Sequence, residues 1–328
     1  MAYKFPAQQG STQIESVDRQ VGRTGIITPV AHLTPIQLSG VTIRRVSLHN
    51  IDFIRTKDIH LHDYVRLQRS GEVIPYITGV IKEKRPHVTT IEPPISCPSC
   101  NHPTTKIDMH VYCTNNACPA QLQEKLEHFV SKQCMDIEGI GESIAALLIE
   151  QKLVTTVDQL YDLIRPEKQA HLRTIQGFGD KKIMQIVSQL EHAKKQPLRR
   201  FLHALGIPHI GKKTAMMIQD SIQKDLNTRT PLEKGGQGGF ALDNLISYLT
   251  NKEFLQSIYG IGDKMIDALH AFCHDKTNIG IMENLVHEGI NINPIEQKKE
   301  TAFTGQHFGI TGTFTLTRET IIKTCEDK

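Results

Sequence analysis

The 328 residues contain no run of about eighteen apolar residues, the length a helix needs to cross a bilayer. The first residues lack the basic-then-apolar layout of a secretory leader. Together these absences point to the cytosol and away from a membrane partner. Charge of one sign is also scarce: 38 Lys and Arg against 35 Asp and Glu leave a net of +3, so global charge says little about a polyanionic partner. Seven cysteines in a chain this long are too few for a secreted disulfide framework.

What the chain does have is repetition. One short pattern occurs four times, as Glu138-Gly139-Ile140-Gly141, Gln176-Gly177-Phe178-Gly179, Pro208-His209-Ile210-Gly211 and Tyr259-Gly260-Ile261-Gly262. Each copy runs at once into a helical pattern. The fourth residue after its last glycine is Ala145, Ile183, Ala215 or Ile266, and the seventh is Leu148, Ile186, Ile218 or Leu269. Positions four and seven share a helix face, so each copy offers an apolar stripe to a common core. A stripe behind a glycine turn, used four times, is one supersecondary unit repeated.

The turn suggests a chemistry. Glycines let successive N–H groups point outward together, and the helix that follows adds its unpaired amides and the positive end of its dipole. That combination suits a phosphate oxygen. Lys181 with Lys182, and Lys212 with Lys213, lie just inside two of these helices, where cations oppose the dipole and favour a polyanion. The unit resembles the helix-hairpin-helix motif, which grips nucleic-acid backbone without reading sequence. The plainer alternative is a bundle whose turns are simply closed by Gly-x-Gly. Four copies with matched core positions favour DNA-backbone binding.

Before the repeats, residues 14–84 carry apolar runs broken by turns, at the spacing of a small barrel or sandwich. In Val65-Arg66-Leu67-Gln68-Arg69 basic and apolar residues alternate, which would set the arginines on one face of a strand. A barrel with a basic face is how OB-folds hold nucleic acid. Residues 86–94 read as a Pro- and Thr-rich linker. Cys97-Pro-Ser-Cys100 and Cys113, with Cys118 five residues on, then form two close pairs twelve residues apart, able to converge on one tetrahedral ion. Four thiolates leave no open position, so the metal would be structural. Disulfides and redox pairs are the other uses of such spacing; zinc is the expected occupant, and spacing alone does not exclude iron.

From Ala120 to about Gly289 the pattern is helical. Cys134 and Cys273 read as small core residues, and Asp136 and Glu138 as capping or solvent-facing acids. Residues 227–240 have the composition of a surface loop. After a charged linker, Phe308 to Phe314 reads as a strand and glycine turn, with Thr317 capping a helix to Cys325. One strand and one helix are the beginning of a domain.

The order of these parts resembles the C-terminal half of bacterial NAD-dependent DNA ligase. The resemblance is carried by Ala2-Tyr-Lys-Phe-Pro-Ala7, Gln20-Val-Gly-Arg-Thr-Gly25, Thr28-Pro-Val30, Ser47-Leu-His-Asn50, Arg69-Ser-Gly-Glu-Val-Ile-Pro75, the four cysteines, Cys118-Pro-Ala-Gln121, Met135-Asp-Ile-Glu-Gly-Ile-Gly141, Ala204-Leu-Gly-Ile207 and Thr311-Gly-Thr313. It implies a multidomain α+β chain. Residues 1–9 would be a remnant of the nucleotidyltransferase domain, 10–85 an OB-fold and 86–121 a zinc finger. The helix-hairpin-helix domain would take 122–292, a linker 293–302, and the start of a BRCT domain 303–328.

The resemblance also implies site residues and partners. Cys97, Cys100, Cys113 and Cys118 would hold structural zinc. Arg23, Arg69, Gly139, Gly141, Gly177, Gly179, Lys181, His209, Gly211, Lys212, Gly260 and Gly262 would face nicked duplex DNA. Lys4 matches the family's last nucleotidyltransferase lysine, which contacts the AMP phosphate, and has no complete catalytic set around it here. The family's adenylated lysine lies in a Lys-x-Asp-Gly motif, and no such sequence occurs in this chain. NAD and magnesium, used by the parent enzyme, are therefore not expected to bind this chain alone. The expectation is a bacterial, cytoplasmic DNA-binding portion that does not ligate alone and takes the adenylation half in trans. A non-enzymatic accessory protein for repair junctions is the alternative, and a truncated gene remnant a third reading.

Overall fold

The computed structural model describes residues 9–38, 40–70, 74–228 and 240–295. The expectations for Lys4, for the BRCT start at 303–328, for most of the linker before it and for most of the loop at 227–240 lie outside these residues.

The first domain is a partly open barrel. Strands β1 (Gln9–Val21), β2 (Ile26–Leu38), β3 (Val41–Ser47), β4 (Tyr64–Ser70) and β5 (Ile74–Val80) pair antiparallel in the order β5-β4-β1-β2-β3, and β3 returns to β5. β1 serves both halves. Gln9 to Gln13 pair with β4, Ile14 to Val21 pair with β2, and a register shift between Ile14 and Ser16 turns the strand between them. Ile14, Leu33, Val65, Leu67 and Ile77 fill the interior. The short helix α1 (Ile51–Thr56) bridges β3 and β4. Asn50 starts it by accepting the Phe53 amide at 2.7 Å, while Leu48 is fully buried beside it. The Ser-Leu-His-Asn stretch is thus an anchor followed by a helix cap.

A strand's two-residue period separates Arg66 and Arg69, which the alternation in sequence would set on one face. Val65 and Leu67 point inward and Arg66 is exposed, so Arg69, three residues on, falls on the inward parity and is half-buried at the strand end.

Residues 86–94 form a strap rather than a free linker. Arg85 at its start is held by the fully buried Asp63, with Nε to Oδ1 at 2.7 Å. The Leu61 amide then donates to the Thr89 carbonyl, Arg19 Nη2 to that of Glu92, and Thr104 Oγ1 to that of Pro94. A hairpin of β6 (Thr104–Ile107) and β7 (His110–Cys113) follows. Its inner strand pairs with the start of β2, Ile26 opposite Tyr112 and Ile27 opposite Val111, so the cysteine module extends the barrel's own sheet.

The rest is helical around one continuous core. The elements are α2 (Pro119–Val130), α3 (Glu142–Glu150), a 3-10 segment (Val157–Ile164), α4 (Pro166–Arg173), α5 (Asp180–Ala193), α6 (Leu198–Ala204), α7 (Lys212–Thr228), α8 (Leu242–Thr250), α9 (Lys252–Ser257), α10 (Asp263–His274) and α11 (Lys276–His287). Among the described residues no helix is long and apolar enough to cross a membrane.

Barrel and cysteine module meet at the turn between β1 and β2. Gly25 has φ +83°, donates to the Gly22 carbonyl, and accepts the Cys113 amide at 2.8 Å. A Cβ there would lie 2.4 Å from the Cys113 carbonyl oxygen. Gly25→Ala therefore adds a left-handed backbone penalty to a clash of its Cβ with the Cys113 main chain. It should cost about 2 kcal/mol or more, read as a lowered midpoint in thermal unfolding.

Candidate metal centre and nucleic-acid interface

The four cysteines predicted from spacing converge. Cys97 and Cys100 sit on one tight turn, fixed by the Cys97 amide donating to the His102 carbonyl and the Asn101 amide to the Cys97 carbonyl. Cys113 ends β7 and Cys118 directly precedes α2, whose first residue is Pro119. All four sulfurs lie within 4.8 Å of one another, with Cys97 to Cys118 at 3.8 Å and Cys100 to Cys113 at 3.6 Å. Sulfurs about 2.3 Å from one ion at tetrahedral angles lie ~3.8 Å apart, so the cluster fits structural zinc. The described cysteines are free thiols, not disulfides.

Burial disfavours charge at three of these sulfurs. At Cys100 the His102 backbone and Asn115 side chain outweigh it and bring the thiol down to about 6, while Cys113 is pushed up to about 12 and Cys118 is also raised. Four neighbouring thiolates need a cation between them. Gln121 completes the knuckle: it is buried, and its Nε2 donates to the carbonyls of Cys113 at 2.8 Å and Asn115 at 3.2 Å. The Cys-Pro-Ala-Gln stretch thus supplies a ligand, a helix start and a clamp on the previous ligand's backbone.

The four turns share one geometry. Their second residues are all left-handed, with φ +95° at Gly139, +94° at Gly177, +65° at His209 and +95° at Gly260. Their third residues, Ile140, Phe178, Ile210 and Ile261, are buried, as are the fourth and seventh residues after each turn. The last glycines precede α3, α5, α7 and α10. Gly141, Gly179 and Gly262 are extended N-caps with no side-chain cap bond. In every copy the amides of the last glycine and of the next two residues make no hydrogen bond among the described residues. Four outward-facing amide sets are therefore on the surface.

The hairpins pair in two tandems, which the pattern alone did not reveal. A Cβ on Gly139 would lie 3.4 Å from Ile186 of the second hairpin, and one on Gly260 would lie 3.0 Å from Met217 of the third. The second residue thus faces the neighbouring hairpin in the first and fourth copies, while Gly177 in the second copy meets open space. By contrast a Cβ on Gly141, Gly179, Gly211 or Gly262 meets open space.

The predicted side chains divide. Lys181, Lys212, Lys213 and His209 are exposed at the turns, while Lys182 folds back over the Phe178 ring at 4.9 Å and donates to the Gly177 carbonyl. Arg23 stands elsewhere. It is half-buried and lines a cavity of about 330 Å³ between the barrel turn, α2 and the third hairpin, with Gly206 beside it. Cys134 and Cys273 are core residues as expected. Near Cys134, His128 Nε2 meets the His203 carbonyl at 2.8 Å, and burial lowers the pKa of both imidazoles. The Cys134 sulfur is 3.6 and 3.9 Å from the two His128 ring nitrogens, nearly equidistant, so it lies off both lone-pair axes. The group packs as core. Asp136 pairs with Arg200 at 3.5 Å, and Glu138 is exposed.

Barrel, four-thiolate knuckle and paired hairpins define the class: a multidomain chain of the OB-fold and helix-hairpin-helix type. Residues 11–89 match the NAD-dependent DNA ligase OB-fold domain, and residues 132–192, the first tandem, match the SAM-like helix-hairpin-helix tandem. The chain is 38% identical to a DNA ligase of Rickettsia bellii over 99% of its own length and 47% of that protein's. It is 36% identical to the DNA ligase of Sulfurihydrogenibium azorense over 95% and 42%, and 36% identical to that of Thermotoga neapolitana over 99% and 44%. The chain thus spans about half the length of the curated relatives it matches. Along nearly its whole length it is similar to the C-terminal half of bacterial NAD-dependent DNA ligases.

Two outcomes follow from the site geometry. Cys100→Ser should release one equivalent of bound zinc, counted with a chromogenic chelator, and expose the start of α2 to protease, because such sites supply folding energy. His209→Gly relieves a left-handed non-glycine residue and should raise unfolding stability by about 1 kcal/mol in a denaturant titration.

Proposed function

We propose that this chain is the DNA-gripping portion of an NAD-dependent DNA ligase. It holds nicked duplex between barrel and hairpin tandems, with structural zinc in the four-thiolate knuckle as the joint. The observation that carries this reading is the fourfold repetition of one outward-facing amide set, each on the same left-handed turn. Amides of this kind bind phosphate oxygens whatever the base, which suits a protein that must act at any nick.

Sealing by this family begins with an activated lysine that takes AMP from NAD, and later steps need metal and cationic stabilisation of the transferring phosphate. No Lys-x-Asp-Gly sequence occurs in these 328 residues. In this proposal the adenylation half supplies that chemistry, in trans to this chain, and these residues hold and orient the duplex. Exposed Lys181, Lys212 and Lys213 draw the backbone in, the turn amides beside them fix it, and the barrel contributes Arg66 from its outer face.

The test is binding of the purified chain to nicked, intact and branched duplexes of one sequence at about physiological salt, where unspecific attraction is screened. Tighter binding to the nick is expected, followed by sealing when the adenylation half, NAD and magnesium are added. Preference for the branched duplex would favour a junction-binding accessory protein, and equal weak binding to all three would contradict the proposal.

A further inference from the structure

The four turns share a backbone but not a charge. At the third hairpin, Lys212 and Lys213 open α7 with no acidic residue in its first turn, and neither has an ion-pair partner among the described residues. Two cations at a helix N-terminus oppose its dipole, so this end is electrostatically incomplete until an anion arrives. The third hairpin also carries the only non-glycine among the four left-handed turn positions, exposed His209. A strained residue kept where three siblings use glycine is a residue whose side chain has work at that spot.

The first hairpin is the reverse. Glu138 stands at its tip and Glu142 in the first turn of α3; both are exposed and without ion-pair partners among the described residues. Glu142 already supplies the negative charge that the α3 dipole attracts. A phosphate seated on these amides would face two carboxylates. The other two turns are intermediate. Asp180 is neutralised by Arg173 at 2.7 Å, leaving Lys181 exposed, and Asp263 is followed by Lys264.

We propose that the backbone grip is unequally divided: the third hairpin, through His209, Lys212, Lys213 and the amides they flank, is the principal phosphate site, and Glu138 and Glu142 close the first hairpin to phosphate. The inference rests on reading the hairpins as phosphate grips and assigns that role among them. The first tandem then holds its strand through the second hairpin alone, and the second tandem sets the affinity.

Gly141 and Gly211 allow a matched test, since a Cβ at either meets open space in the fold and a side chain built on it faces what approaches from outside. Gly211→Val should weaken binding to nicked duplex about tenfold, and Gly141→Val should leave it within about twofold. Equal losses from both would overturn the division. Lys212→Gln with Lys213→Gln leaves the backbone intact and should lower the slope of log affinity against log salt by about 2. An unchanged slope would overturn the assignment even if Gly211→Val proved poorly folded. His209→Gly adds a readout that separates binding from folding: it should bind less tightly while melting at a higher temperature, and binding equal to the wild type would remove His209 from the site. Failure of the unaltered chain to bind any duplex would instead overturn the nucleic-acid reading itself.

Discussion

Barrel and helical domain are brought together at four sulfur atoms. Cys97 and Cys100 come from the turn after the strap, Cys113 from the strand that extends the barrel sheet, and Cys118 from the residue that opens the helical domain. Their convergence fixes where α2 begins relative to β2. The supporting contacts are main-chain ones: Gly25 accepts the Cys113 amide, and Gln121 holds the Cys113 and Asn115 carbonyls. A barrel and a helix bundle joined by a short peptide would move independently. With a metal held in a knuckle seated on the barrel's own sheet, as proposed, they would present their surfaces in a set relation.

The hairpin tandems obey a different constraint. Each turn buries its central apolar residue and turns its amides outward, so packing and binding use opposite sides of one loop. This explains why the two glycine positions are not equivalent. Gly139 and Gly260 are confined by Ile186 and Met217, whereas Gly141 and Gly211 face open space. Loss of the first kind disturbs the pairing of hairpins, and loss of the second obstructs what the turn presents. Charge is laid over this uniform backbone unevenly, and unevenness of that kind lets a sequence-blind grip have a strong and a weak end.

The features legible in the sequence were those with a period or a fixed spacing. The fourfold turn announced its helices and its core positions, and the cysteine spacing announced the cluster, because both are local patterns with one geometric solution. Barrel details were less legible. β1 is thirteen residues long and mostly exposed along one side, so its apolar signal is thin, and its bend is visible only in pairing. α1 is a single short cap-driven turn with too few residues to show a period. The strap at 86–94 looked like a linker since hydrogen bonds to backbone carbonyls leave no mark on composition. Arg66 and Arg69, three residues apart, lie on opposite faces of their strand, so the alternation around them does not gather them on one side. The pairing of hairpins into tandems, and the seat of Arg23 at the joint cavity, are tertiary facts that no local pattern carries.

The central claim is that the knuckle makes barrel and hairpins one gripping body. It is tested most directly by measuring affinity for nicked duplex before and after thorough metal removal, with circular dichroism following the barrel and helices. The account predicts a large loss of affinity while most strand and helix signal persists, and recovery when zinc is returned. Unchanged affinity in the stripped protein would contradict it, and would mean that hairpins and barrel hold DNA independently of the joint.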